Sequence, residues 1–368
     1  MGPRAVSSRR RRGVSAAINL YLLAGALVIG CERTSGPNPG RSLLKEGAPI
    51  VVVNPRADDP RWPGIRGGAL RYAQAVPTIR VECVVPPQDT SDSLRETLTD
   101  VLKKQPAAVC LYVTESDARE PTALRANLDR IARAQALLIT IGWSFDDKRV
   151  YGYVGVNLPE AAELLGHELG RIAAPRHTYL LIHRDGASPL STNCYQRFIS
   201  AARSQAGLTL LQEENLADRS RSPAQVVEDL LGLYPSAGLL VTIEPDVWLA
   251  APAGWARKLR SLNQDFHFAT LSAAPPLWGQ LGTVATPGDA AALVGPLDGD
   301  VGYAAVELAV QALTSEREPT PVRWVPCELV RAENLPDFAR RYSIAAGGLD
   351  VSRYLGGTVP TAAPPGGP

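Results

Sequence analysis

The chain has 368 residues, of which 45% are hydrophobic and 20% charged, and its formal net charge is +1. This composition is typical of a globular protein of about two domains. It lacks the basic excess of nucleic-acid-binding proteins, so nucleic acid is not an expected partner.

The first thirty residues have the pattern of an export signal. Arg4 and the run Arg9 to Arg12 form a basic segment, and a mostly apolar stretch follows from Val14 to Ile29. This stretch is shorter than the roughly 20 residues that a membrane span needs. It fits a secretory signal that ends at a small residue, Gly30, so residues 1–30 are predicted to be a signal peptide.

Cys31 directly follows this signal, and together with residues 28–30 it resembles a bacterial lipobox. In that pattern the cysteine is lipidated and becomes the first residue of the mature protein. We therefore predict that Cys31 anchors the chain to a membrane, in the periplasm or at the cell surface. The alternatives are an ordinary signal peptide or a short signal anchor with a chance cysteine. Loss of residues 1–30 removes five arginines and no acidic residue, which changes the formal charge from +1 to −4.

Residues 31–48 are rich in glycine, proline, serine and charge, and predict a tether. Strand and helix patterns then alternate. Buried strands are predicted for residues 50–53, 79–85, 108–113, 137–141 and 150–156. Helices are predicted between them for residues 64–75, 93–103 and 122–134.

A second series begins at Asn157, which is predicted to cap a helix because Glu160 follows three residues later. Ser222, Pro223 and Gln225 form a second capping box. Strands are predicted for residues 179–183, 208–212, 238–243, 266–271, 292–294 and 322–330. Helices are predicted for residues 159–173, 194–206, 223–231, 255–261 and 301–313. Residues 346–368 are rich in glycine and proline and predict a disordered tail.

This alternation predicts an α/β protein with two doubly wound parallel-sheet lobes. Parallel sheets bind ligands beyond the carboxyl ends of their strands. With two such lobes, the expected site is the cleft between them.

Three segments then resemble the type I periplasmic binding proteins, especially the ribose-like sugar-binding proteins of ABC importers. They are the turn Asp59-Pro60-Arg61-Trp62, the segment Tyr153-Val154-Gly155-Val156-Asn157, and the helix Gly302-Tyr303-Ala304-Ala305-Val306-Glu307-Leu308-Ala309. The resemblance covers residues 49–342. It implies lobes joined by a three-stranded hinge, with crossings near Val156, Val294 and Val325. The N-terminal lobe would contain residues 49–155 and 296–322, and the C-terminal lobe residues 156–295 and 323–345.

The chain departs from the polar pattern of that family. Thr140-Ile141-Gly142 stands where the family usually has an aspartate after the fourth strand, and Glu244-Pro245 stands where it has Asn-Asp. A buried sugar hydroxyl without a partner costs about 1–3 kcal/mol. An ordinary hexose or pentose is therefore not assumed as the ligand.

Residues near predicted strand ends and crossings are the candidate ligand contacts. They are Arg61, Trp62, Thr114, Trp143, Asn157, Arg184, Glu244 and Asp246. Each has a structural alternative: the tryptophans can pack within a lobe, Thr114 and Asn157 can cap helices, and the charged residues can lie in solvated loops. Asp298 and Asp300 are interpreted as a turn at the second crossing, since too few oxygen ligands surround them for calcium.

The four cysteines after Cys31 are Cys83, Cys110, Cys194 and Cys327. They are interpreted as small buried residues, with one disulfide possible in an exported protein and no metal site. The chain contains no motif of a nucleotide-binding, zinc-protease or serine-hydrolase site, so neither enzymatic activity nor a cofactor is expected.

The predicted function is capture of a small, carbohydrate-like solute by a monomeric lipoprotein that delivers it to an ABC permease. Two alternatives remain open. The lobes could sense a ligand for a membrane kinase or chemoreceptor, or they could form a scaffold that has lost ligand binding.

Overall fold

The computed structural model describes residues 47–56, 58–114, 121–142, 147–173, 176–217, 221–243, 246–249, 255–263, 266–281, 290–315 and 320–355. All of these residues belong to the unit Arg41–Pro368. None of the helices within these ranges is both long enough and apolar enough to cross a membrane. Strands and helices are numbered below along the chain.

Six parallel strands form the sheet of the first lobe. They are β1 (Ile50–Val53), β2 (Val81–Val84), β3 (Ala108–Val113), β4 (Leu137–Gly142), β5 (Gly152–Val156) and β11 (Val322–Val325). Their order across the sheet is β11-β5-β4-β3-β1-β2. Ile50 and Val52 point into one hydrophobic cluster, and Val51 and Val53 into another. The apolar run of β1 is thus buried on both faces, as in the centre of a parallel sheet.

Helices cover both faces of this sheet. They are α1 (Trp62–Ala75), α2 (Ser91–Lys103), α3 (Pro121–Arg133) and α9 (Asp298–Thr314). The Thr90 hydroxyl accepts a hydrogen bond from the Ser93 amide and so caps α2. Helices α1 and α9 share one cluster with Ile50, whereas α2 and α3 share the other with Val51.

The second lobe repeats the arrangement. Its strands are β6 (Thr178–His183), β7 (Thr209–Asn215), β8 (Leu239–Thr242), β9 (His267–Thr270), β10 (Ala290–Gly295) and β12 (Glu328–Val330). Their order is β12-β10-β9-β8-β6-β7, and only the pairing of β12 with β10 is antiparallel among these strands. The helices are α4 (Leu158–Ile172), α5 (Pro189–Arg203), α6 (Pro223–Leu233), α7 (Asp246–Leu249), α8 (Trp255–Leu262) and α10 (Leu335–Ala345).

The predicted α/β architecture of two doubly wound lobes is confirmed. Two of its predicted caps are also present: the Asn157 side chain accepts from the Glu160 amide, and Ser222 with Gln225 forms the capping box of α6. Helix α5 begins five residues before the predicted position, because Ser188 caps it by accepting from the Ser191 amide.

The chain passes between the sheets after Val156, after Gly295 and between Val325 and Glu328. The single strand predicted for residues 322–330 is wrong, because Pro326 separates two strands that belong to different sheets. Proline has no N–H to donate to a strand ladder, so the run divides there. Residues 323–325 pair with β5 and therefore belong to the first lobe rather than to the second.

The sequence interpretation missed helix α10. Its start has Asn334 before Leu335-Pro336, and Phe338 and Tyr342 lie on its buried face.

The disordered tail predicted from residue 346 is also wrong for residues 346–355. Val351 is only 7% exposed, and the ring of Tyr354 lies 6.3 Å from that of Trp278. The remaining predicted tail, residues 356–368, lies outside the described residues, as do the predicted signal and most of the tether.

Glycines allow α1 and α9 to pack backbone against backbone. A Cβ at Gly302 would lie 1.9 Å from the carbonyl oxygen of Ile65, and a Cβ at Gly68 would lie 1.7 Å from that of Gly299. Such contacts leave no room for even one methyl group. The spacing between the two helices therefore depends on these glycines.

We expect Gly302→Ala to destabilise the protein, because α1 and α9 must move apart to admit the methyl group. Overpacking of this kind costs about 1–3 kcal/mol or more. Gly232→Ala in α6 is the matched control, since its added Cβ meets no atom within 4 Å beyond its chain neighbours and its own helix backbone, and alanine is the better helix former. Urea unfolding of both variants would check this. Equal stability of the two variants would contradict the proposed backbone contact.

Candidate functional site

A cavity of about 150 Å³ lies between the two lobes. Its wall includes Thr114 after β3, Gly142 at the end of β4, and Ser272 two residues after β9. All three lie at carboxyl ends of parallel strands, the edge at which α/β sheets bind ligands. Because both sheets contribute, this cavity is the candidate ligand site.

Polar and apolar groups share the wall of the cavity. Aliphatic side chains come from both lobes, for example Ile65 from the first and Leu158 and Leu190 from the second. The charged, serine and threonine residues of the wall, within the described ranges, are Arg56, Arg61, Thr114, Arg184, Ser191, Ser272 and Asp298. A few polar groups on a mainly apolar surface are typical of small-molecule sites.

Arg61 is held in place by its neighbours. Its Nε and Nη2 donate to Oδ1 and Oδ2 of Asp59 at 3.0 and 3.1 Å, and its backbone amide donates to Oδ1 at 2.9 Å. Asp59 itself is only 6% exposed. The guanidinium also lies over the ring of Tyr112, 5.6 Å from its centroid. These contacts fix the direction of a charged group in the cavity wall.

Arg184 directly follows β6 of the second lobe, in a turn that several hydrogen bonds define. The Ala187 amide donates to the Arg184 carbonyl at 3.1 Å, and the Asp185 amide donates to Nδ1 of His183 at the same distance. Gly186 has a φ of +80°, which favours glycine. Nε and Nη1 of Arg184 are enclosed from solvent.

The turn after β6 also rests on a buried histidine. His183 is 4% exposed, and its ring centroid lies 4.3 Å from that of Tyr195. Burial lowers the pKa of His183, although the carboxylate of Glu213 opposes this shift. A neutral imidazole agrees with the hydrogen bond that Nδ1 accepts from Asp185, since a protonated ring could not accept it.

Asp298 is a carboxyl group that connects the cavity with the contact between the lobes. It lines the cavity, is only 4% exposed, and accepts a 2.7 Å hydrogen bond at Oδ2 from the hydroxyl of Tyr342. Burial raises the pKa of Asp298 to about 7, while the Tyr342 hydrogen bond and the charge of Arg61 lower it and Asp59 raises it. The carboxyl is thus balanced between its two protonation states near neutral pH.

Three of the predicted ligand contacts lie in the cavity wall: Arg61, Thr114 and Arg184. Their contact with a ligand remains a prediction. They follow the ends of three different strands, β1, β3 and β6, and the sequence pattern predicted each of these strands.

Two other predicted contacts have structural roles. Trp62 is 8% exposed and belongs to the hydrophobic cluster of the first lobe, not to the cavity wall, because it begins α1 with its ring turned into that cluster. Asn157 caps α4, and its Nδ2 donates to Glu160 at 2.8 Å. Val156 and Leu158 on either side of it do line the cavity.

Four of the predicted residues have side chains outside the described part of the structure. Trp143, Glu244 and Cys31 lie outside the described residues. Asp246 begins the short helix α7, but its side chain is outside the described part of the structure.

The sequence interpretation missed several wall residues. Asp298 was interpreted only as part of a turn, although its position as the first residue of α9, just after a crossing, places it beside the cleft. Ser272 follows a predicted strand end in the same way as Thr114. Tyr112 had no signal, because its alternation within β3 is that of a core residue.

The four cysteines within the described ranges are free thiols, and Cys110 and Cys194 are buried. Burial raises the pKa of Cys83 and of Cys327 to about 12. Cys194 also lines the cavity, where it acts as a small, weakly polar wall residue.

No protein-family profile and no curated protein matches the sequence. Solved structures do match the fold. AraP, an arabinose-binding protein from Geobacillus stearothermophilus, is 16% identical with a TM-score of 0.63, and the match covers 79% of this chain and 99% of that one. A solute-binding protein of an ABC transporter from Agrobacterium vitis, bound to α-D-tagatopyranose, is 16% identical with a TM-score of 0.61, over 80% and 98% of the two chains.

A periplasmic solute-binding protein from Actinobacillus succinogenes with bound D-allose is 13% identical with a TM-score of 0.61, over 79% of this chain and 99% of that one. At these identities the likeness establishes the fold. The chain has the two-lobed fold of the type I periplasmic binding proteins, as the sequence resemblance implied.

We expect the stability of the protein to change with pH because Asp298 titrates. The folded pKa of about 7 is above the ordinary value of 3.8, so the folded state holds this proton more tightly than the unfolded state. The contribution of Asp298 is therefore most favourable below about pH 4 and declines as the pH rises to about 7. Asp298→Asn removes the titration, so its stability relative to the original protein should rise across this window and then stay level.

Unfolding midpoints of both proteins between pH 4 and pH 8 would measure the difference. Tyr342→Phe is the companion variant: loss of its hydrogen bond raises the pKa of Asp298 further and should move the window to higher pH. Parallel pH curves for the original protein and Asp298→Asn would show that Asp298 does not titrate in this range.

Proposed function

We propose that this chain is an exported lipoprotein that captures a small, sugar-like solute between its lobes and delivers it to an ABC permease. The observation that carries the proposal is the cavity itself, whose wall combines Arg61 and Thr114 of the first lobe with Arg184 and Ser272 of the second. A ligand there would contact both lobes at once. The proposed role is binding without chemical conversion of the solute.

The fold supports the proposal. The neighbours from Geobacillus stearothermophilus and Agrobacterium vitis are described as arabinose-binding and as bound to α-D-tagatopyranose. Their likeness to this chain extends over both lobes. A site at the corresponding carboxyl edges favours a solute of similar size, and about 150 Å³ is room for a single small ring.

Three crossings between lobes allow the cavity to open and close. A solute that touches both lobes binds the closed arrangement more tightly than an open one, and so shifts the population toward closure. The closed form is then the species that a membrane partner would recognise. Anchoring through Cys31, as the N-terminal pattern predicts, would keep this species near the membrane.

We expect a pentose, hexose or polyol to raise the unfolding temperature of the full chain. A ligand at 100 times its dissociation constant adds about 2.7 kcal/mol to stability. Leu190→Trp should abolish the shift, because Leu190 lines the cavity and the larger ring fills it. Leu233→Trp is the matched control, since Leu233 is 74% exposed and is not one of the residues that line the cavity. If no solute of a broad library shifts either protein, solute capture is wrong and a scaffold role replaces it.

We expect Cys31→Ser to prevent lipidation. In a bacterial host, the original chain should incorporate radiolabelled palmitate and fractionate with the membrane, whereas the variant should carry no label. Cys83→Ser is the control, because Cys83 lies on β2 in the folded lobe and should leave the label intact. Equal labelling of the Cys31→Ser variant and the original chain would contradict the lipoprotein prediction.

A further inference from the structure

The charge of the cavity wall is unevenly distributed. Among the described wall residues, Arg56, Arg61 and Arg184 are arginines and Asp298 is the one carboxylic acid. Arg56 lies near the rim, with a half-exposed side chain and an ion pair to Asp89 at 3.3 Å. Arg61, whose side chain is 30% exposed, and Arg184, whose Nε and Nη1 are enclosed, line the cavity from one lobe each.

Contacts within the fold order the guanidinium of Arg61 and the backbone of Arg184. Arg61 is fixed by the buried carboxylate of Asp59 and the ring of Tyr112. The backbone of Arg184 is held in the hydrogen-bonded turn after β6, and Nε and Nη1 of its side chain are enclosed. A guanidinium carries five N–H donors, so Arg61 can donate to a solute while its Nε and Nη2 hold Asp59. A group that is ordered in advance also loses little freedom when it binds.

The carboxyl of Asp298 does not oppose an anion as strongly as an exposed aspartate would. It is enclosed, it already receives the hydrogen of Tyr342, and its burial favours the protonated form near neutral pH. The N-terminal turn of α5 adds partial positive charge to the cavity wall, because Leu190 and Ser191 of that turn line the cavity.

We propose that the cavity selects a small solute that carries one carboxylate, such as a sugar acid, and binds this carboxylate between Arg61 and Arg184. The inference rests on the proposed function and narrows its ligand class. Hydroxyls of the solute meet Thr114, Ser191 and Ser272, and its carbon skeleton lies against the aliphatic wall. The neutral sugar of the same skeleton fits the cavity but lacks the group that both arginines recognise.

Matched pairs of solutes test the inference, because the members of each pair share one pyranose ring and differ only at C6, which carries a hydroxymethyl group in the neutral sugar and a carboxylate in the acid. Isothermal titration calorimetry of the full chain would compare glucose with glucuronate, galactose with galacturonate, and mannose with mannuronate. We expect an acid to bind at least about 10-fold more tightly than its neutral partner. Its affinity should also fall as the salt concentration rises, since charge contributes to binding.

Substitutions then test whether Arg184 causes the preference for the acid. Arg184→Gln should weaken binding of the acid about 10- to 100-fold and change binding of the neutral sugar little, whereas Arg184→Lys should restore part of the affinity because it keeps the charge without the planar fork of the guanidinium. Arg197→Gln is the control, since Arg197 lies on the exposed side of α5 with Glu163. Unfolding temperatures of all variants would confirm that each is folded.

The outcomes separate the two proposals. If neutral sugars bind as tightly as their acids, or if Arg184→Gln weakens both equally, selection of a carboxylate is wrong while solute capture stands. If neither member of any pair binds but a neutral solute of the broad library does, the carboxylate proposal is wrong and solute capture stands. If no solute of the library binds at all, both proposals are wrong. Preference for the acid that disappears in Arg184→Gln, and persists in Arg197→Gln, would establish the carboxylate site.

Discussion

The hydrogen bond from Tyr342 to Asp298 joins the two lobes of this protein beside the cavity. Tyr342 belongs to α10, which packs in the core of the second lobe, whereas Asp298 begins α9 of the first lobe and lines the cavity. Around this bond the backbones come into close contact: a Cβ at Gly299 would lie 2.2 Å from the carbonyl of Ala345, and one at Gly67 would lie 1.9 Å from that of Ala346. The lobes therefore touch here through backbone atoms and one buried carboxyl group.

Much of the fold could be predicted from the sequence because its signals are local. The buried β-branched run of β1 and the capping box at Ser222 fix their elements without help from distant residues. The elements that were missed depend on tertiary contacts. Helix α10 is short and lies where the chain turns rich in glycine, and its formation is supported by Phe338 and Tyr342 packing against Trp278. The break at Pro326 was hidden because β11 and β12 are both strands, and only the sheet topology shows that they separate.

The site was predictable in part for the same reason. A strand end is visible in the sequence, so Thr114 and Arg184 could be placed at the cleft. The direction in which the ring of Trp62 points cannot be read from the sequence. Trp62 follows β1 as closely as Arg61 does, but the bond between Asp59 and Arg61 holds the arginine at the cavity while the first turn of α1 carries the tryptophan into the core. Asp298 was missed because an aspartate beside glycine at a crossing favours a turn by local rules, and its burial arises only when α10 covers it.

The same arrangement explains how a carboxyl group can stand in a cavity proposed to take an anion. An ionised Asp298 would repel a bound carboxylate, and in an enclosed site such repulsion is screened less than at a surface. Burial already shifts Asp298 toward its protonated form, and Tyr342 occupies one of its oxygens from the side of the second lobe. Because a neighbouring anion raises the pKa of a carboxyl group, binding of the solute and retention of the proton favour each other. In the proposed site, Asp298 would keep its contact between the lobes while Arg61 and Arg184 bind the carboxylate of the solute.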